Sequence, residues 1–363
     1  MKRVVILCVW LFSVVAGHAQ LSLDECRRLA RENYPEIRQY DLVHQTEQYN
    51  LSNAARAWIP QLAFSAQATW QTDAPNFPKE LTGMLAQQGL EIPGLRKDQY
   101  KVALELNQTI WDGGKSVADK RIARAEAAEQ KTMTDVDLYE LEGRVDDLYF
   151  GILLLDERIA QTNLTLNLLR SNLEKVRALQ RNGVAMQSDA DVLEAELLSV
   201  GQQLIQFESS CDSYRRMLGI FIGQKVGDRK LLRPSAVQPL SGESARPELA
   251  MFAAKIDRLM AQEKMVKSSS MPRLGFFAQG YYGYPGLDYM QSMMNSDWSW
   301  NAMLGVKLSW NFGAYYTQKN NLNKLRTSRQ QVEVQRDVFL FNMNLQAAQE
   351  NGDIARLRKA IAD

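Results

Sequence analysis

"YKVALELNQTIWDGGKSVADKRIA", residues 100–123, changes its period in the middle. Up to Trp111 it alternates. Tyr100, Val102, Leu104, Leu106 and Ile110 share one parity with Gln108, and Lys101, Glu105, Asn107 and Thr109 take the other. Successive strand side chains point to opposite faces, so this is a strand with one apolar and one polar side. After Asp112-Gly113-Gly114 the alternation stops, and no proline occurs before Asn182. The spacing there predicts one helix of about 70 residues, roughly 105 Å long at 1.5 Å per residue.

The same arrangement occurs elsewhere. In "QLAFSAQATW", residues 61–70, the even positions are Leu62, Phe64, Ala66, Ala68 and Trp70, and the odd ones are mostly polar. Leu274, Phe276, Ala278 and Tyr282 form a third apolar row. Ala302, Leu304, Val306, Leu308 and Trp310 form a fourth, set against Asn301 and Lys307. The chain also repeats itself. Pro35-Glu36-Ile37 and Pro60-Gln61-Leu62 return as Pro247-Glu248-Leu249 and Pro272-Arg273-Leu274, and Trp111-Asp112-Gly113-Gly114 parallels Trp310-Asn311-Phe312-Gly313. The prolines keep the same separation in both copies, which marks an internal duplication. Each copy reads helix, strand, loop, strand, long helix.

Alternation over about ten residues suits a tilted membrane strand, apolar towards lipid and polar towards a lumen. Trp70, Tyr100, Tyr282, Trp298, Trp300 and Trp310 gather at strand ends, as an interfacial girdle would. A soluble sheet with one buried face shows the same alternation, and the aromatic ends favour lipid. Four strands cannot close a barrel, and an open edge in lipid leaves backbone groups unpaired. Several chains must then share one barrel, and three chains give twelve strands.

The long helix carries a coiled-coil seam. Steps of four and three from Leu141 reach Val145, Leu148, Ile152, Leu155, Ile159, Thr162, Leu166, Leu169, Leu173, Val176 and Gln180. The seam breaks at "RNGVAMQSDADVLEAELL", residues 181–198, and resumes at Leu193, Leu197, Val200, Leu204, Phe207, Cys211, Tyr214 and Leu218. The break reads as the tip of an antiparallel helical hairpin. Gly183 ends one helix in the left-handed conformation. Ser188 caps the next with Asp191 three residues on, and Asp189 and Asp191 favour the positive end of the helix dipole. The returning helix is expected to end near Leu218-Gly219, ahead of a connector rich in Gly, Pro and Ser.

Lys2 and Arg3, the apolar run Val4–Val15 and Gly17-His18-Ala19 form a secretory targeting segment, cut before Gln20. Cys26 and Cys211 remain, and the seam position of Cys211 argues against a bridge between them. His44 is the only other histidine besides His18, which excludes a multi-histidine metal site and makes His-based triads improbable. The net charge of +1 gives no nucleic-acid surface. No phosphate or dinucleotide motif is present. No enzyme activity, cofactor or metal is expected.

The targeting segment, the two copies and the tip "NGVAMQSDADVLEAEL" together resemble the TolC family of outer-membrane channel proteins. "LSLDECRRLARENYPEIR" looks like that family's N-terminal helix, and "QTIWDGGKSVADKRIA" like its passage from strand to long helix. The resemblance implies an α+β membrane protein with long antiparallel α-helical coiled-coil hairpins. Four transmembrane β-strands per chain contribute to a shared trimeric β-barrel. It implies three parts: a signal peptide over 1–19, a first repeat over 20–245, and a second over 246–363 that stops before its own tip. It implies a homotrimer in the outer membrane of a Gram-negative bacterium, with the helical part in the periplasm, in contact with outer-membrane lipid. The partners implied are a periplasmic adaptor protein and an inner-membrane transporter of a tripartite efflux or type I secretion system. By similarity, Gly183, Val184, Ser188, Asp189, Asp191, Val192 and Leu193 are adaptor-docking tip residues. Asp189 or Asp191 is the gate. Lys101, Glu105, Asn107, Asn301 and Lys307 are candidates to line the pore, or are solvated charge and polarity with no selectivity role. The chain departs from the pattern after Trp310, where about 50 residues remain, more than about 70 fewer than in the first copy. The other readings are a periplasmic coiled-coil scaffold or adaptor, and a truncated channel fragment without function.

Overall fold

The computed structural model describes residues 20–89, 92–234 and 246–362. The targeting segment and residues 235–245 of the connector lie outside them. The elements in order are α1 (Leu23–Asn33), a 3-10 turn (Pro35–Arg38), α2 (Gln39–Arg56), β1 (Gln61–Trp70), α3 (Lys79–Gln87), β2 (Asp98–Trp111), α4 (Lys115–Arg181), α5 (Gln187–Ile222), α6 (Pro247–Ser269), β3 (Arg273–Tyr284), α7 (Tyr289–Met294), β4 (Ser299–Ser309) and α8 (Ala314–Ala362). No helix among the described residues is long and apolar enough to cross a membrane. The chain forms two compact units, one from residues up to 42 with 130–251, the other from 43–129 with 252–363.

The first unit is a helical hairpin with α1 packed on it. The seam residues Leu141, Val145 and Ile152 of α4 are fully buried, as is Leu218 of α5, and Cys211 is nearly so. They share a core with Leu21, Cys26, Ala30, Leu138, Tyr149, Ile222, Val226 and Leu231. Each large apolar side chain buried here contributes about 1.5–3 kcal/mol. Thr162 adds a hydroxyl to the seam and satisfies it by donating to the Arg158 carbonyl at 2.7 Å. The α1 helix is capped by Ser22, whose Oγ accepts the Glu25 N–H at 3.2 Å. Its basic side meets acids one helical turn apart on α4. Arg27 grips Asp146 through two bonds at 2.7 and 2.5 Å, and Arg31 lies 3.1 Å from Glu142.

Two single residues tie this unit together. The buried Tyr149 hydroxyl lies 2.8 Å from the Leu21 carbonyl and 2.6 Å from that of Leu232. Arg215 uses all five of its N–H groups. Two go to the Asp156 carboxylate, two to the carbonyls of Gly227 and Arg229, and one to Cys211 Sγ. It thereby fixes α4, α5 and the chain after α5 to one another. Cys26 and Cys211 are both free and buried. Burial, then the charge of Glu25, pushes the Cys26 thiol up to about 11.

Three expectations about the helices change. The α5 helix starts at Gln187 with Met186 at the cap position, so Ser188 is inside the first turn and caps nothing. The helix also passes Gly219 and runs to Ile222, where Gly223 takes φ +69° and stops it. Both inter-strand connections contain a short helix, α3 and α7, where only a loop was expected.

The second unit holds one antiparallel sheet in the order β1-β2-β3-β4. Each β2–β3 and β3–β4 register is continuous except at Ile110, where a bulge brings Trp111 opposite Leu274. Gly113 follows at φ +69°, and a Cβ there would stand 2.6 Å from that of Met271, so only glycine fits the turn. Asp112 then opens α4. Its carboxylate accepts the N–H groups of Gly114 (2.9 Å) and Ser116 (2.7 Å) and the Ser116 hydroxyl. Burial alone would raise its pKa. The bonds from Ser116 and Gly114 outweigh that and hold it below the usual carboxylate range.

Candidate functional site: a two-faced sheet and a helical tip

Cross-strand partners share a face, so the pairing sorts every strand residue. Ala66, Val102, Tyr282 and Trp300 lie in one row across the sheet, and Phe64, Leu104, Gly280 and Ala302 in the next. The even positions therefore fall on one side, and beyond the bulge in β2 Trp111 joins them opposite Leu274. Most of that side is uncovered, with Tyr284 buried at its loop end. Phe64 is 73% exposed, Leu304 75% and Trp300 82%. A contiguous apolar face of this extent on a single chain marks a surface that lipid or protein covers.

The face is bounded by aromatic rings at both ends. At the loop end Tyr100 stacks on Trp298 with ring centres 5.7 Å apart, and Tyr282 meets Trp298 and Trp300 at 5.3 and 5.0 Å. At the helix end Trp310 and Phe312 lie 4.7 Å apart, and Trp310 Nε1 donates to the Ser270 carbonyl at 3.0 Å. Trp300 and Trp310 are ten residues apart, about 33 Å along a strand. A tilt of about 40° reduces that to a height of about 25 Å, the thickness of the apolar band on outer-membrane barrels.

The opposite face is polar and internally bonded. Lys101 Nζ donates to Gln279 Oε1 at 3.1 Å and sits 4.5 Å above the centre of the Tyr281 ring. Gln279 passes its own N–H to Glu105, so the amide bridges a cation and an anion on neighbouring strands. Asn107 and Lys307 are exposed on this side. Asn301 is engaged otherwise. Its Oδ1 accepts the Leu287 N–H at 2.7 Å and its Nδ2 donates to Ser299, which anchors the β3–β4 connection. Gln279, Tyr281 and Arg273 also lie on this face, and the sequence reading of the third strand, made on its apolar row, does not include them. Their odd numbering was the available signal.

At the tip, α4 ends in a Schellman motif. The Val184 N–H reaches the Leu179 carbonyl and the Gly183 N–H that of Gln180, both at 2.9 Å, with Gly183 at φ +75°. Asp189 then accepts the Met186 N–H at 2.9 Å and closes the start of α5. Asp191 instead accepts from the Gln187 side chain at 2.8 Å. Val184, Met186 and Val192 are exposed around this turn, Leu193 is half-buried and Ala190 is buried. Among the described residues no cluster of His, Cys, Asp and Glu is arranged to hold a metal ion.

A family model described as outer membrane efflux protein matches residues 27–223. No curated protein sequence matches the chain. Among solved structures, the outer membrane protein VceC of Vibrio cholerae is similar at TM-score 0.61 and 15% identity, over 88% of this chain and 75% of that one. The outer-membrane channel OprN is similar at 0.63 and 14%, over 88% and 71%. The CmeC outer membrane channel of Campylobacter jejuni is similar at 0.58 and 14%, over 88% and 68%. At such identities the likeness is one of fold.

Proposed function

We propose that this chain, which belongs to the outer membrane efflux protein family, works as a homotrimeric exit duct with a shared twelve-stranded barrel. The family is one of outer-membrane channels, so the protein's place is the outer membrane and its work is conduction rather than catalysis. The single observation behind the trimer is the sheet. It presents a largely uncovered apolar face between aromatic girdles and, among the described residues, leaves the outer edges of β1 and β4 without partners. Lipid does not tolerate such edges, and pairing with further copies removes them.

In this reading the chain comprises a signal peptide over 1–19, a first repeat over 20–245 and a second over 246–363. The even strand face meets lipid, and the odd face, with Lys101, Glu105, Asn107 and Lys307, lines the lumen. The tip from Gly183 to Leu193 meets a periplasmic adaptor, which couples the duct to an inner-membrane transporter for efflux or type I secretion. The exposed Val184, Met186 and Val192 are apolar contacts suited to that docking. Of the two tip aspartates, Asp191 is the better gate, because Asp189 is held by a backbone N–H at the start of α5, whereas Asp191 is held only by the exposed Gln187 side chain. Asp191→Asn is then expected to raise the resting conductance, and Asp189→Asn to loosen the turn instead.

The test is the mass of the mature chain extracted in detergent from the outer-membrane fraction, corrected for bound detergent. Three protomers are expected. A monomer there, or recovery in the soluble periplasm, would overturn the shared barrel and favour a periplasmic scaffold.

A further inference from the structure

The charges on the polar face of the sheet are unequal. Its charged strand residues are Lys101, Glu105, Arg273 and Lys307, three cations against one anion. Glu105 is occupied by Gln279 and Lys101 by Gln279 and the Tyr281 ring. Arg273 and Lys307 have no acidic partner among the described residues, and they are close together. Arg273 pairs with Ser309 and Gly275 with Lys307, which makes the two cations diagonal neighbours on adjacent strands. Diagonal partners stand about 7–8 Å apart, near enough to repel each other.

Both cations line a cavity of 590 Å³ on this face. Its carboxylates are all engaged. Asp112 is held by Gly114 and Ser116, Asp119 lies 2.7 Å from Lys115, and Glu105 has Gln279. Opposite Lys307 stands Gly275, which has no side chain to pair with it across the strands. Phe277 lies across Gly305, where a Cβ would come within 2.9 Å of its ring, and gives the cavity an apolar wall together with Met303. Two uncompensated cations beside an aromatic wall suit an anion with an apolar body, such as an amphiphilic carboxylate or sulfonate.

We propose that Arg273 and Lys307 form an anion-binding subsite that favours organic anions as the cargo of the duct. This rests on the reading that the odd face lines the lumen. Like-charged linings concentrate counter-ions by about tenfold or more at low salt, and the effect fades as salt screens it.

The experiment is planar-bilayer conductance of the purified full chain in a potassium chloride gradient, with octanesulfonate as the blocking probe. The double variant Arg273→Gln/Lys307→Gln is expected to lower the chloride-over-potassium permeability ratio about tenfold at low salt and to weaken block by octanesulfonate similarly. The charge-keeping pair Arg273→Lys/Lys307→Arg is expected to retain both, which separates charge from altered folding. A conducting pore whose ratio and block are the same in the double variant overturns the subsite alone. A wild-type chain that forms no conducting pore overturns the duct itself, and the subsite with it.

Discussion

The two long helices α4 and α8 begin alike and end up in opposite circumstances. Each follows a strand, a tryptophan and a glycine turn. Yet α4 buries one side along its length, whereas α8 buries no residue. The difference is not periodicity. Val334, Val338, Phe341 and Leu345 of α8 recur at steps of four and three, as the seam of α4 does, and all four are more than half exposed. The first helix has α5 running back along it. The second meets α6, through Phe339 beside Phe252 at 5.9 Å and Arg329 near Glu263 at 3.6 Å. A seam is thus a property of a pair of helices, and amphipathic spacing alone stabilises nothing.

The sharpest way to break this comparison is truncation on both helices. Leu141→Ala should lower stability by about 2–5 kcal/mol, and Leu345→Ala on α8 by no more than about 0.5 kcal/mol. Denaturant unfolding of the detergent-solubilised chain measures both, and equal losses would end the distinction. Next in size is Arg215→Met, which removes two bonds from Asp156 and leaves the carbonyls of Gly227 and Arg229 without theirs. With Asp156 partly in water the loss should be about 1–3 kcal/mol, read as a shift in unfolding midpoint. Gly151→Val tests how closely α4 and α5 approach. A Cβ at Gly151 would stand 2.6 Å from the Tyr214 ring, so the ring must move, at about 1–3 kcal/mol. Asp189→Ala removes the bond that starts α5. It should cost about 0.5–1 kcal/mol and show as faster amide exchange confined to the tip.

The smallest effect is a titration. The Cys26 thiol is favoured in its neutral form by the fold, with its pKa moved from 9.0 to about 11. That contribution is complete below pH 9 and is lost as pH rises from about 9 to about 11. A thiol reagent at pH 8 should leave Cys26 and Cys211 unlabelled until the chain unfolds, while a cysteine placed at Leu345 should react at once. Rapid labelling of Cys26 in the folded chain would contradict its burial.

The sequence was most readable where one physical requirement dominates. The seam from Leu141 to Val176 and the even faces of the four strands are set by burial or by lipid, and each was visible as a period. The tip was half readable. Gly183 announces its left-handed turn, but Ser188 points to the wrong start for α5, because a hydroxyl is a good cap wherever it stands. Met186 holds the cap position because Asp189 supplies the bond from inside the helix. Gly219 misled in the same way, since a glycine can sit within a helix, and the stop belongs to Gly223. Arg273 and Gln279 carry no such signal, because the period of the third strand is set by its apolar side. Their importance lies in which neighbours they meet across strands, and spacing within one strand carries no such information.

The four-stranded meander has a parity. Its first and last strands run in opposite directions, so β4 of one copy can join β1 of the next with every ladder still antiparallel. An odd number of strands per chain would force a parallel seam at each junction. The coupling is head to tail, so one edge chemistry serves every junction and the assembly is a ring of equivalent joints. Strand parity makes the ring self-consistent for any number of members. The number itself then follows from how much each sheet curves and how closely the long helices pack.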